Sequence, residues 1–392
     1  MGNYNFNKKI SRKGTHSAKW KKTSNTLPMP LIPLSVADMD IPLPEKTINL
    51  LNEFTDKGIY GYTLLSDNWG ETVAQWMQRH YHWYVDAEHV VFCPRVIQAV
   101  SLYIQNFTAP GDGIVSLAPA YHPISHSVVV NQRRLLESEL RYQHGCYAID
   151  FDDLEEKFKQ ARCFILLSPH NPTGTVWEKE SLKKIASLAE KHHVFIISDD
   201  VHADFIFSNH QHQVISSISA YVEQNSFICT SPAKTFNMAG LEVANIIIAN
   251  EQHRKKFIHC LEAAGIHNPG YYAVPAFLSV YHNCDDWLFA LKNYLAENRA
   301  WVINMLSEHF PDWVVTRSTG TYMLWVNYQA SHLSEDQLKH WFLNRAGVEM
   351  SWGSGFGESG IGFFRINIAT PRDTLAEALE RIISTSPYAH QE

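Results

Sequence analysis

Long hydrophobic runs are missing from this chain of 392 residues. None approaches the roughly 18 residues a helix needs to cross a bilayer, so no membrane span is expected. Positive charge is not in excess either. Lys and Arg number 33 against 40 acids, a net charge of −7, and no basic domain stands out, which argues against nucleic-acid binding as the main task. The 6 cysteines form no CxxC pair and read as free thiols of a reducing cytoplasm. With 19 Gly and 17 Pro the chain has too little of either to be fibrous or disordered. Residues 1–22 are polar and basic with no apolar stretch behind them, and are not expected to act as a signal peptide. The GxGxxG of nicotinamide enzymes and the GxSxG of serine hydrolases are absent. The 21 histidines include no HExxH and no zinc-spaced cluster, so solvated histidines are expected rather than a metal centre. A 45% hydrophobic chain of this length buries a large core, and an enzyme is the simplest reading.

What is present is an alternation of two periods. Helix-period segments are predicted over 45–56, 69–80, 96–107, 152–160, 179–192, 252–264, 272–281, 285–309, 335–345 and 374–383. Between several of them lie short apolar runs at 89–92, 113–117, 163–167, 194–198, 227–230 and 245–249. Runs bare of charge suit strands covered by helices on both faces. This β-α-β-α order predicts an α/β fold with a mainly parallel sheet and right-handed crossovers. After about Asp285 the order changes to a long helix, strands near 313–316, 321–327 and 363–368, and a helix between them, as in a smaller α+β lobe. A large domain over 46–284 is therefore expected, with 1–45 and 285–392 forming an N-terminal arm and small domain. The arm is rich in proline, with Pro28, Pro30, Pro33, Pro42 and Pro44.

Three polar motifs follow successive apolar runs. Ser168-Pro169-His170-Asn171-Pro172-Thr173-Gly174 follows 163–167, Ser198-Asp199-Asp200-Val201-His202 ends 194–198, and Ser231-Pro232-Ala233-Lys234-Thr235-Phe236-Asn237 follows 227–230. In open α/β sheets ligands bind at the carboxyl ends of strands. A lysine there, partly stripped of water, becomes a usable nucleophile, and a carboxylate at the same edge can face a ring nitrogen. Taken singly, each has a plainer reading as a surface lysine, a helix cap or a rigid turn. Three at one sheet edge form a constellation.

With these motifs the chain resembles the fold-type I pyridoxal-phosphate enzymes, and among them the MalY/PatB-like carbon–sulfur lyases of cystathionine β-lyase type. The likeness also takes in Gly14-Thr15-His16-Ser17-Ala18-Lys19-Trp20, Val36-Ala37-Asp38-Met39-Asp40, Gly58-Ile59-Tyr60-Gly61-Tyr62-Thr63, Pro119-Ala120-Tyr121-His122-Pro123, Gly320-Thr321-Tyr322 and Phe364-Arg365-Ile366-Asn367-Ile368-Ala369. It implies a large domain with a seven-stranded sheet, pyridoxal 5′-phosphate as cofactor, and a homodimer with shared active sites. The implied reaction is α,β-elimination from a small sulfur amino acid, with an aminotransferase as the nearest alternative. By resemblance, Lys234 bonds the cofactor and moves the substrate Cα proton, Asp199 faces the pyridine nitrogen, Asn171 meets the ring hydroxyl and Tyr121 stacks on the ring. Arg365 holds the substrate α-carboxylate, where a planar fork binds both oxygens. The amide near Ala37 is its second contact.

The resemblance gives phosphate binding to the amides of Val96 and Ile97, the Ser231 hydroxyl and Tyr62 from the other subunit, and counts His202 with the cofactor contacts. Four positions depart from the pattern. Arg95 stands for a glycine and adds charge near the phosphate. His122 replaces a second tyrosine beside the substrate, Ser35 a tryptophan, and Ser168 an asparagine.

Overall fold

The computed structural model describes residues 4–20, 29–207 and 210–387; Pro28 lies outside them. Its centre is a seven-stranded sheet. From edge to edge it runs Val90–Cys93, Ala244–Ile247, Ser226–Thr230, Phe195–Asp199, Ala161–Leu167, Gly113–Ala118 and Arg134–Glu139. Ala244–Ile247 is antiparallel to both of its neighbours, and the other pairings are parallel. The expected α/β sheet is therefore present, mostly parallel as expected.

The charge-free runs form these strands because both faces are buried. Phe92, Val115, Phe164, Ile196, Ile228 and Ile247 pack into one core cluster. Their chain neighbours Val91, Ile114, Ile165, Ile197, Phe227 and Ile246 pack into another. Each such side chain contributes about 1.5–3 kcal/mol by leaving water. The edge strand Arg134–Glu139 is mostly open to solvent and carries three charged residues, so it shows no apolar run. The helix His122–Val130 stands outside the predicted helical segments, being short and without a clear polar stripe.

The helices Glu45–Asp56, Val96–Phe107, Lys179–His192 and Asp285–His309 stand where their periodicity predicts. The segment expected over 335–345 is an α-helix only to Lys339 and continues as a π-helical turn, His340–Ala346. Val314–Val315, Met323–Asn327, Phe363–Asn367 and Ser351–Trp352 form a separate four-stranded antiparallel sheet. The arm strand Ile32–Pro33 pairs in parallel with Val348–Glu349.

One close approach links the two sheets. The Gly320 amide donates to the Gly174 carbonyl at 2.9 Å. Gly174 has φ +69°, and a Cβ there would stand 2.7 Å from Gly320 O, so only glycine fits. This contact sets the turn after Ala161–Leu167 against the segment that leads to Tyr322.

Candidate active site

Three adjacent parallel strands end together. Leu167 is in register with Asp199, and Asp199 with Cys229. The Ser168 amide donates to Asp199 O at 3.0 Å and the Asp200 amide to Cys229 O at 2.9 Å. The three motifs thus open onto one edge, as their spacing predicts.

Lys234 sits on the short helix Pro232–Thr235, whose N-cap Ser231 accepts from the Ala233 amide. Its Nζ donates to the Ala37 carbonyl at 2.7 Å. Burial, followed by the charge of Arg365, lowers its pKa to about 8 against the opposing pull of Asp38 and Asp199. A lysine in this state is neutral in roughly a tenth of molecules at neutral pH, far more than an ordinary lysine. Asp199 is displaced the other way. Burial raises its carboxyl to about 7, the Val201 amide opposing and the neighbouring Asp200 adding to the rise.

Arg365 is the third charged group. Its Nη1 donates to Asn171 Oδ1 at 2.7 Å, and its Nη2 to Ser35 O at 3.0 Å and to Ser351 Oγ at 3.2 Å. The guanidinium lies 4.9 Å from the centre of the Phe356 ring. Burial lowers its pKa to about 10. Among the described residues no salt bridge pairs it with a carboxylate, and its buried Nε has no hydrogen-bond partner. A desolvated guanidinium held only by neutral acceptors is a strong receptor for a carboxylate.

The remaining expected residues divide. Tyr121 is at the cleft mouth, 37% exposed, its phenol raised by burial and by Asp199. His202 is buried, with Nδ1 unpartnered and the ring edge-on to Tyr322 at 5.7 Å; burial, then Lys234 and Arg365, hold it well below the usual imidazole range. Val96 and Ile97 open the helix Val96–Phe107, where the first amides have no partner inside the helix. The Ser231 hydroxyl donates to Val243 O and accepts from Ala233 N, so its bonds here are internal. His122 is exposed and stacks on His126 at 5.5 Å. Tyr62 projects fully into solvent.

Ala37 turns its carbonyl to Lys234. Arg95 is engaged by Glu242 and does not stand as a free cation. Ser35 places its carbonyl on Arg365 and its hydroxyl on Glu349.

Two further residues of the site, Tyr322 and Asn367, act through contacts that no local motif announces. The Tyr322 hydroxyl donates to Ala37 O at 3.1 Å, beside the lysine. Asn367 Nδ2 donates to Val36 O at 2.6 Å and to Asp38 O at 2.7 Å. Both lie in quoted motifs, but their partners are hundreds of residues away, beyond the reach of local pattern.

The chemistry of this donor set fits pyridoxal phosphate. Asp199 has its proton affinity raised by burial, a cost that a protonated ring nitrogen beside it would offset. Lys234 has an amine suited to an aldehyde, Asn171 a side-chain amide beside them, and the Val96 helix terminus a partial positive charge suited to phosphate.

Residues 30–382 match the family model described as aminotransferase class I and II. The chain is 36% identical to cystathionine beta-lyase PatB of Bacillus subtilis, over 96% of this chain and 98% of that protein. Cystalysin of Treponema denticola, whose crystal structure contains pyridoxal 5′-phosphate, superposes with a TM-score of 0.94 at 31% identity, covering 97% of this chain and 98% of that one. A pyridoxal-phosphate-bound C–S lyase of Staphylococcus hominis gives a TM-score of 0.89 at 29% identity, covering 98% of each chain.

Proposed function

The chain belongs to the aminotransferase class I and II family and is a pyridoxal-phosphate-dependent carbon–sulfur lyase; from that premise we propose that it eliminates the sulfur substituent of cystathionine or cysteine-type amino acids. The products are a thiol (homocysteine or sulfide), pyruvate and ammonia. One observation carries the proposal: a neutralisable lysine and a desolvated carboxylate stand at one sheet edge, and an arginine of the second sheet, with no acid partner among the described residues, reaches Asn171 at that edge.

When bound, pyridoxal phosphate supplies an aldehyde for the amino group and an electron-accepting ring. The protein's share is positioning and proton handling. Arg365 turns its fork from Asn171 and Ser35 to the substrate α-carboxylate, which fixes the Cα–H bond relative to Lys234. Lys234, with its lowered proton affinity, takes the Cα proton. Asp199, as a carboxylate, would hold the protonated ring nitrogen of the bound group. Tyr121 closes one side of the cleft. The Cβ–S bond then breaks with the electron pair leaving on sulfur, and a proton and one water complete the products.

The boundaries proposed are a large domain over 46–284, with 1–45 and 285–392 together. The pairing of Ile32–Pro33 with Val348–Glu349 supports joining the arm to the C-terminal part. We also propose a homodimer with shared sites. In its support, Ile59, Tyr60, Tyr62 and Leu64 expose 74, 58, 101 and 81% of their surfaces in a single loop, an apolar patch that calls for cover. A cytoplasmic location is part of the same reading and is supported by the six free thiols. No helix among the described residues is long and apolar enough to cross a membrane.

The deciding experiment mixes pure holoenzyme with cystathionine. Pyruvate formed without added keto acid supports the lyase. Amino exchange that requires a keto acid would assign the chain to the aminotransferases instead.

A further inference from the structure

The arm motif Gly14–Trp20 has no part in the mechanism above, yet it ends in a buried ionic network. The Lys19 side chain is 0% exposed. Its Nζ donates to Asp40 Oδ2 at 2.7 Å and to the Asp38 carbonyl at 3.1 Å, and lies 3.9 Å from Asp38 Oδ1. Arg12 Nη2 donates to Asp38 Oδ2 at 2.7 Å, and Nη1 to Asp40 Oδ1 at 3.1 Å. Trp20 Nε1 adds a bond to Asp40 Oδ1 at 2.8 Å. Two cations of the arm thus meet two carboxylates of the segment 36–40.

That segment carries the carbonyl that holds the lysine. Ala37 O accepts from Lys234 and from Tyr322. Asn367 ties Val36 and Asp38 to the strand Phe363–Asn367, and Asn237 accepts from the Met39 amide and donates to Met39 O and Ile41 O. Asn237 lies three residues beyond Lys234, so the segment is pinned on both sides of the reacting amine. A buried carboxylate without partners is costly, and a segment carrying buried Asp40 beside half-buried Asp38 holds this position only if they are matched.

We propose that Arg12 and Lys19 are positioning residues for Lys234: they fix and neutralise Asp38 and Asp40, hold the Ala37 carbonyl on the lysine nitrogen, and limit the negative field Asp38 exerts there. The groups around Lys234 are Asp199, Arg365 and Asp38, with Tyr322 on the same carbonyl and His202 within reach of its charge; Asp199 and Arg365 also act on Tyr121. Asp38 already opposes the burial-driven fall in the Lys234 pKa. Loss of an arm cation strengthens that opposition, so the nitrogen keeps its proton to higher pH.

The inference rests on Lys234 as the reacting amine. Its test is the pH midpoint of the visible absorbance of the holoenzyme, read alongside kcat and KM. Arg12→Gln raises the midpoint by about half a pH unit or more, and Arg12→Lys restores it. Under Arg12→Gln kcat at fixed pH changes while KM holds, because Arg12 does not touch substrate. Lys19→Met moves the midpoint the same way; where it does not fold, Arg12→Gln decides, since that side chain is 24% exposed. A midpoint unchanged in Arg12→Gln, whether or not the melting temperature falls, or one that moves down, overturns the proposal. Failure of the underlying assignment looks different: the wild-type band would then survive Lys234→Ala.

Discussion

Replacing Asp199 by Asn removes a carboxyl that burial has raised from 3.8 to about 7. In the cofactor-free protein the folded chain therefore binds this proton more tightly than the unfolded chain. The stabilising contribution is complete below pH 3.8 and is lost as pH climbs through 7. At 1.36 kcal/mol per pH unit the whole interval is worth about 4 kcal/mol. Solvent reaching the open cleft reduces this, and between pH 5 and 8 the wild type should lose roughly 2 kcal/mol relative to Asp199→Asn. Urea unfolding of both cofactor-free proteins at the two pH values measures the difference. The Asn variant should be the relatively more stable protein at pH 8 and lose that advantage at pH 5. Pyridoxal phosphate at pH 8 should stabilise the wild type more, because a ring cation then meets the carboxylate. Parallel pH dependence in the two proteins would refute the argument, since Asp199 would then be an ordinary solvated acid.

Four other outcomes follow from the same geometry. Lys234→Ala should abolish the visible band of the bound cofactor and lower elimination by orders of magnitude, as a spectrum and a pyruvate assay would register. Arg365→Ala should weaken substrate binding by about 2–4 kcal/mol, seen chiefly as a raised KM, because it removes a charged carboxylate partner. Arg95→Ala should leave the cofactor dissociation constant within about twofold, since its guanidinium is held by Glu242 at an exposed pair worth little; a large loss of affinity would return Arg95 to the phosphate. Mixed dimers of Lys234→Ala and Tyr62→Ala chains should recover activity that neither homodimer has, if Tyr62 serves the neighbouring site.

The parts legible in the sequence are those where burial writes a one-dimensional signal. Strands such as Phe195–Asp199, covered on both faces, appear as charge-free runs, and the polar groups just beyond them appear as breaks in those runs. Arg134–Glu139 carries no such signal because an edge strand needs only one neighbour and tolerates charge. The helix His122–Val130 is apolar around most of its circumference, so its period does not show. Within the site, Lys234, Asp199 and Asn171 were legible because they follow adjacent parallel strands. Tyr322, Asn367 and the Arg12–Lys19 network were not, because their roles depend on contacts to the segment 36–40. The positive charge of Arg95 could be read, but not its partner Glu242, 147 residues away.

The covalent attachment itself can be located directly. The protein loaded with pyridoxal phosphate, reduced with borohydride, digested and mapped by mass spectrometry, should carry the pyridoxyl group on the peptide containing Lys234. Label on a different lysine, or no label at all under conditions where the cofactor is bound, would contradict the account.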